Sequence, residues 1–142
     1  MIDGDSRNGG TPPSDSSAAG PGRRPIGPLS MDEEVVGRHI VLRPRGNINR
    51  ATSAAFEDRL LPLVNGGRAV IVDLGGVATV SSAGLRVMAQ LAGLARGRSN
   101  LIFAAPNEMV SDILNVTGFD TLLDIAPSLT VALARAAKSS SE

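Results

Sequence analysis

Residues 70–96 read VIVDLGGVATVSSAGLRVMAQLAGLAR, and the change of period inside this stretch decides the fold. Ala69-Val70-Ile71-Val72-Asp73-Leu74 is a short apolar run bounded by Gly67 and by Gly75-Gly76, the pattern of a strand buried on both faces. From Ser82 onward Leu85, Met88, Ala92 and Ala95 fall at helical spacing, widened by Leu91 and Leu94, with Arg86, Gln90, Arg96 and Arg98 as polar positions. A central strand therefore leads into a helix that packs on a sheet. At the junction, Val80-Ser81-Ser82-Ala83-Gly84 puts two adjacent hydroxyls where the helix starts. One serine is enough to cap it by accepting from an unpaired backbone N–H, a bond whose loss costs about 1 kcal/mol. The second hydroxyl is left free on a surface turn, in the field of the helix N-terminus.

On the C-terminal side, Gly97 to Asn100 reads as a turn and Leu101 to Ala104 as a second buried strand. Pro106-Asn107 opens a helix through Val116, with Met109, Val110, Ile113, Leu114 and Val116 as its apolar residues, and Thr117-Gly118 closes it. Leu122 to Ile125 fits a short edge strand, and Ser128 caps a last helix, Leu129 to Ala137. On the N-terminal side, Ala51 to Val64 is an amphipathic helix carried by Ala55, Phe56, Leu60, Leu63 and Val64; Pro62 is expected to kink or fray its last turn. Before it, Met31 to Val36 and His39 to Arg43 form a hairpin through Gly37-Arg38, Pro44 ends the second strand, and Gly46-Asn47-Ile48-Asn49 is a loop. Residues 1–29 are dominated by Gly, Pro and Ser and hold almost nothing large and apolar, so they read as a disordered tail. Residues 30–138 form one domain and 139–142 a frayed end. The fold class is α/β, a mixed sheet covered by about four helices.

Composition removes several functions. Fourteen basic residues balance fourteen acidic ones across 142 positions, and the aromatics are Phe56, Phe103 and Phe119 alone, so neither a global field nor a stacking platform supports direct nucleic-acid binding. There is no cysteine and one histidine, His39, which leaves no cysteine nucleophile and no means of building a thiolate or multi-histidine metal site within one chain. A serine hydrolase would need Gly two places before its nucleophile, where Ser82 has Val80, and only His39 as base. Gly66-Gly67 and Gly75-Gly76 are not followed by the Gly-Lys-Ser/Thr of a phosphate-binding loop and read as turns, and Asp73 reads as a loop cap. No catalytic residue, metal or cofactor is expected. With no signal-like segment and no run of ~20 apolar residues, the chain is expected to be soluble and cytoplasmic, without a membrane span.

Four features together resemble a known family. They are Gly46-Asn47-Ile48-Asn49 followed by Thr52 and a helix; the strand VIVDL before a short loop; Ser81-Ser82-Ala83-Gly84-Leu85-Arg86 opening the next helix; and Leu101-Ile102-Phe103, then Pro106 and a helix ending at Thr117-Gly118-Phe119. From about Ser30 to Ala137 the chain resembles a STAS domain of the anti-sigma-factor-antagonist type. The resemblance implies a STAS-type sheet and a domain that binds an anti-sigma serine kinase, is phosphorylated by it on one serine, is reset by a phosphatase, and so switches partners. Aligning Gly84-Leu85 with the family's Gly-Leu puts the phosphoacceptor on Ser82, within a partner-binding surface of Asn49, Val80, Ser81, Ser82, Ala83, Gly84 and Arg86. Ser81 and Asn49 stand where many members carry Asp; both keep hydrogen-bonding ability and remove a charge. The alternative within the same fold is a non-catalytic STAS subunit that holds together a signalling complex or a lipid-transport assembly.

Overall fold

The computed structural model describes residues 29–97 and 100–140. The expected tail over residues 1–28, Arg98 with its neighbour Ser99, and the last two residues lie outside them. β1 (Ser30–Val36) and β2 (His39–Ile48) pair as an antiparallel hairpin from Ser30↔Arg45 to Val36↔His39. β2 is then followed by α1 (Ser53–Asn65), β3 (Val70–Asp73), β4 (Gly76–Val80), α2 (Ser82–Ala95), β5 (Leu101–Ala104), α3 (Glu108–Thr117), a single 3₁₀ turn (Phe119–Thr121), β6 (Asp124–Ala126) and α4 (Leu129–Ser140). Among the described residues the strands form one six-stranded mixed sheet in the order β1-β2-β3-β5-β6, with β4 also paired to β2.

β2 organises this sheet because it offers one edge to two partners in turn. Ile40 to Leu42 run parallel to Val70–Val72 of β3, and Arg45 to Ile48 run parallel to β4. Two expectations are corrected here. Pro44 does not end the strand, and residues 46–48 belong to it rather than to a loop. The Ile40 N–H donates to the Ala69 carbonyl at 3.0 Å, so by alternation the Pro44 nitrogen faces the same side. That side lies between the last β3 partner, Leu42, and the first β4 partner, Arg45, where a missing N–H strands nothing. The register then shifts between Gly46 and Asn47, and Gly46 takes φ +120°, open to glycine at little cost. The third correction is β4 itself, a strand where the sequence suggests only a loop leading to the serines.

Helices cover both faces. Leu42, Val70, Val72, Leu101 and Phe103 point to one core with Phe56, Leu60 and Val64 of α1, Leu85, Met88 and Leu91 of α2, and Val110 and Leu114 of α3. Val41, Ile71, Ile102, Ala104 and Ala126 point the other way, onto Ala132 and Ala136 of α4. The period-2 alternation of β3 and β5 thus feeds two cores, which is why their sequences read as continuous apolar runs. In β2 both Val41 and Leu42 are fully buried, since one faces each core.

Several local details differ from the sequence reading. α1 runs through Pro62 to Asn65 with Val64 fully buried, because its stripe on the core outweighs the one bond that proline removes. Leu29, assigned to the tail by its sequence, is 8 % exposed and packs in the first core. α4 continues to Ser140, past Ala137. Met109 and Val116 of α3, counted among its apolar positions, are exposed, as is Leu94 of α2. The edge strand expected over Leu122 to Ile125 is found as β6, two residues later, after the 3₁₀ turn.

Ion pairs decorate the β1 side of the sheet: Asp32 with Arg45, Glu33 with Arg59, and Glu34 with Arg43, which also lies 3.4 Å from Asp73. The hydrogen bond to Glu34 holds the Arg43 guanidinium above its usual pKa. Each carboxylate of this edge strand is thus matched, and three charges in a row also discourage edge-to-edge association.

Candidate functional site

Every helix from α1 to α4 follows a strand that runs parallel to β3, so the helix N-termini gather at the C-terminal edge of the sheet. In open α/β sheets this edge is the common place for binding. The β2–β4 pairing brings two of its loops together: Ile48 is the partner of Val80, and the Ser81 N–H donates to the Ile48 carbonyl at 2.8 Å. Residues 49–52, leading into α1, therefore lie beside residues 81–83, leading into α2.

The loop before α1 is held by its own side chains. Asn49 Oδ1 accepts from the N–H groups of Ala51 (2.9 Å) and Thr52 (3.1 Å). Thr52, buried, donates its hydroxyl to the Asn47 carbonyl at 2.7 Å and accepts from the Asn49 N–H at 2.9 Å. Asn49 is thus a turn-former first, its acceptor already used, and it leaves Asn47 and Arg50 exposed around it.

At the start of α2 the two serines part company. Ser82 is the first helical residue and is exposed. Ser81 occupies the N-cap position with extended backbone (φ −88°, ψ 176°), and its carbonyl accepts from the Leu85 N–H at 2.9 Å. Its hydroxyl makes no capping bond; Oγ is buried and has no hydrogen-bond partner among the described residues. This corrects the expectation that one serine caps the helix through its side chain, and it leaves the first-turn N–H groups without a side-chain acceptor.

Other members of the expected surface are not on it. Val80, taken from the sequence as an exposed apolar contact, is 4 % exposed and packs in the first core with Val77, because the β2–β4 register passes from Gly46↔Val77 to Asn47↔Thr79 and skips Ala78, which lets two residues three apart face the same side. Gly84 is buried too. A Cβ on it would stand 2.7 Å from Ile48 Cγ2, 2.9 Å from the Ile48 carbonyl and 2.9 Å from Val80 Cγ1, so its hydrogen is what lets α2 start against the end of β2. Ala83 and Ser81 are half-buried, while Ser82 and Arg86 are exposed one helical turn apart. The site that the structure leaves accessible is therefore Ser82 with Arg86, edged by Ala83, Asn49 and the exposed Asn47 and Arg50. Arg50 is absent from the sequence reading; its signal was its place beside Asn49, which acquires meaning only from the pairing of Ile48 with Val80.

A further strut supports this edge. Asn107 caps α3 by accepting from the Val110 N–H at 2.8 Å, and its Nδ2 donates to the Val77 carbonyl of β4 at 2.9 Å. Asp73 Oδ1 accepts from the Gly75 N–H at 2.9 Å, the loop cap that its position suggests. Among the described residues no three His, Cys, Asp or Glu side chains gather where they could hold a metal ion, and no helix is long and apolar enough to cross a membrane.

Comparison with known proteins agrees with this architecture. The STAS domain family matches residues 30–132. Anti-sigma factor antagonist BtrV of Bordetella bronchiseptica, as that protein is designated, is 32% identical over 108 residues, which is 75% of this chain and 91% of BtrV. An anti-sigma factor antagonist from Mycobacterium paratuberculosis shares the fold with a TM-score of 0.71 at 22% identity, over 76% of this chain and 93% of the other. SpoIIAA, an anti-sigma factor antagonist whose structure is known in its unphosphorylated form, shares it with a TM-score of 0.61 at 15% identity, over 75% and 95%. This chain belongs to the STAS-domain family of anti-sigma factor antagonists.

Proposed function

We propose that the domain, when unphosphorylated, binds a serine kinase of the anti-sigma type through the surface around Ser82, thereby releasing a sigma factor or other partner, and that phosphorylation of Ser82 breaks the complex. It acts as a non-catalytic regulator in the cytoplasm, and a phosphatase resets it. The observation that carries this reading is the contrast between the two serines: the Ser82 hydroxyl is exposed at the first position of α2, and the Ser81 hydroxyl is buried beside it. Only the former can reach a kinase without unfolding the helix start. In the transfer, Ser82 Oγ bonds the γ-phosphorus of ATP, the bond from that phosphorus to the ADP oxygen breaks, and the hydroxyl proton passes to a base on the kinase.

The group added carries ~1.5 to 2 negative charges near neutral pH. It arrives at a helix N-terminus, where negative charge is favoured and N–H groups stand open, so α2 should stay intact. The switch then lies in the interface: a partner surface fitted to a neutral hydroxyl meets charge and bulk, a mismatch that costs several kcal/mol.

The test is phosphosite mapping by fragment mass after incubation with ATP and a serine kinase of the anti-sigma class, with binding of two variants to that kinase. Ser82→Ala should bind as the parent does and take up no phosphate, because a surface hydroxyl strands no buried partner when lost. Ser82→Asp should bind at least about tenfold more weakly, the equivalent of ~1.4 kcal/mol. Label on Ser81, or equal binding by Ser82→Asp and the parent, would overturn the proposal; equal binding favours the STAS subunit that only holds an assembly together.

A further inference from the structure

We propose that Arg86 and Arg50 form a two-arginine clamp that holds the phosphoryl group of Ser82 against the domain. The inference rests on the reading of Ser82 as phosphoacceptor and adds what becomes of the phosphate once attached. Arg86 is four residues beyond Ser82 on α2, and both are exposed. Side chains at this spacing share one helix face with Cβ atoms about 5–6 Å apart. Arg50 comes from the other side: it lies two residues past Ile48, whose strand partner Val80 lies two residues before Ser82.

Arg43, Arg45, Arg59 and Arg135 are paired with carboxylates, whereas Arg50 and Arg86 form no ion pair with any described residue. No acidic residue stands in the first turn of α1 or α2 to compete for them. Asn49 and Ser81, the chain neighbours of Arg50 and Ser82, are neutral. A carboxylate at either place would repel a phosphate; here the charge comes from two arginines without an ion pair among the described residues, beside the N-terminus of α2. Guanidinium forks match phosphate oxygens geometrically as well as in charge.

The direct readout is the second ionisation of the phosphate. The clamp favours the dianion, so the pKa must fall below the ~6 of a free phosphoserine. Phosphoserine is inserted at position 82 during translation, which makes the test independent of any kinase, and the ³¹P chemical shift is followed against pH. The parent should titrate about half a unit or more below an unstructured peptide carrying phosphoserine. Arg86→Gln and Arg50→Gln should each recover part of that shift, the double variant nearly all of it, and Arg86→Lys should fall between Arg86→Gln and the parent. High salt should shrink the shift in the parent. All four variants alter exposed side chains only, and circular dichroism verifies that they fold. If the double variant titrates with the parent's pKa, the clamp is refuted. Failure of the kinase to label Ser82 would instead remove the functional reading, and the two failures are read in separate experiments.

Discussion

Two glycines on one helix should respond to the same substitution with opposite signs. Gly84→Ala puts a methyl group 2.7 Å from Ile48 Cγ2, 2.9 Å from Val80 Cγ1 and 2.9 Å from the Ile48 carbonyl. The two side chains belong to fully or nearly fully buried residues, and the carbonyl is already fixed by the Ser81 N–H, so none of the three can swing aside. Overpacking of this kind costs about 1–3 kcal/mol. Helix propensity returns at most about 1 kcal/mol, less in a first turn. The net expectation is a loss of about 1–2 kcal/mol. For a domain of this size that is a fall in Tm of roughly 4–8 °C. Gly93→Ala is the internal control: Gly93 is exposed, a Cβ there meets nothing within 4 Å, and the gain in propensity should raise stability by up to about 1 kcal/mol. Urea unfolding of both variants, with unchanged m values, gives the comparison. A Gly84→Ala protein as stable as Gly93→Ala would refute the claim that α2 is seated by that close approach.

Three further outcomes follow from named contacts. Ser81→Ala should change stability by no more than about 0.5 kcal/mol or raise it, since the hydroxyl makes no cap and is buried without a partner; a loss near 1 kcal/mol in urea unfolding would mean that it caps in solution. Asn107→Ala should cost about 2 kcal/mol, one share for the Val110 cap and one for the bond to the Val77 carbonyl, and Asn107→Ser should recover about half by keeping the cap; equal losses for Ala and Ser would contradict that division. Leu29→Ala should cost about 1–2 kcal/mol because Leu29 packs in the first core, whereas removal of residues 1–28 should leave Tm unchanged; calorimetry of the two proteins distinguishes them.

What could be read directly from the chain is what neighbouring residues decide. Val70 to Asp73 and Leu101 to Ala104 are strands because each is a short apolar run between breakers, and they pair with one another as that spacing suggests. Asn107 and Ser128 cap their helices through bonds reaching only three residues ahead, to the N–H groups of Val110 and Val131. Ser82 is at the first position of α2 because the helical period begins there. These features depend on φ/ψ preference and on periodicity, both local properties of the chain.

The accessible face of the site was not local in this sense, and only the tertiary structure decided it. Gly76 to Val80 is too short and too mixed to announce itself as a strand; it becomes one because the far half of β2, some thirty residues earlier, presents a free parallel edge. Once it pairs, Val80 must turn inward and the Ser81 N–H is taken by Ile48, which fixes the backbone that leaves Ser82 outside and the Ser81 hydroxyl buried. Pro44 continues a strand for a related reason: whether its missing N–H matters depends on which neighbour lies on that side. Met109 and Val116 mark the same boundary from the other direction, since helical spacing identifies a residue as apolar and only the packing of other elements determines whether anything covers it. The loop that carries Arg50 lies beside the start of α2 through a pairing of residues 48 and 80, a contact between distant parts of the chain that no pattern within either segment specifies.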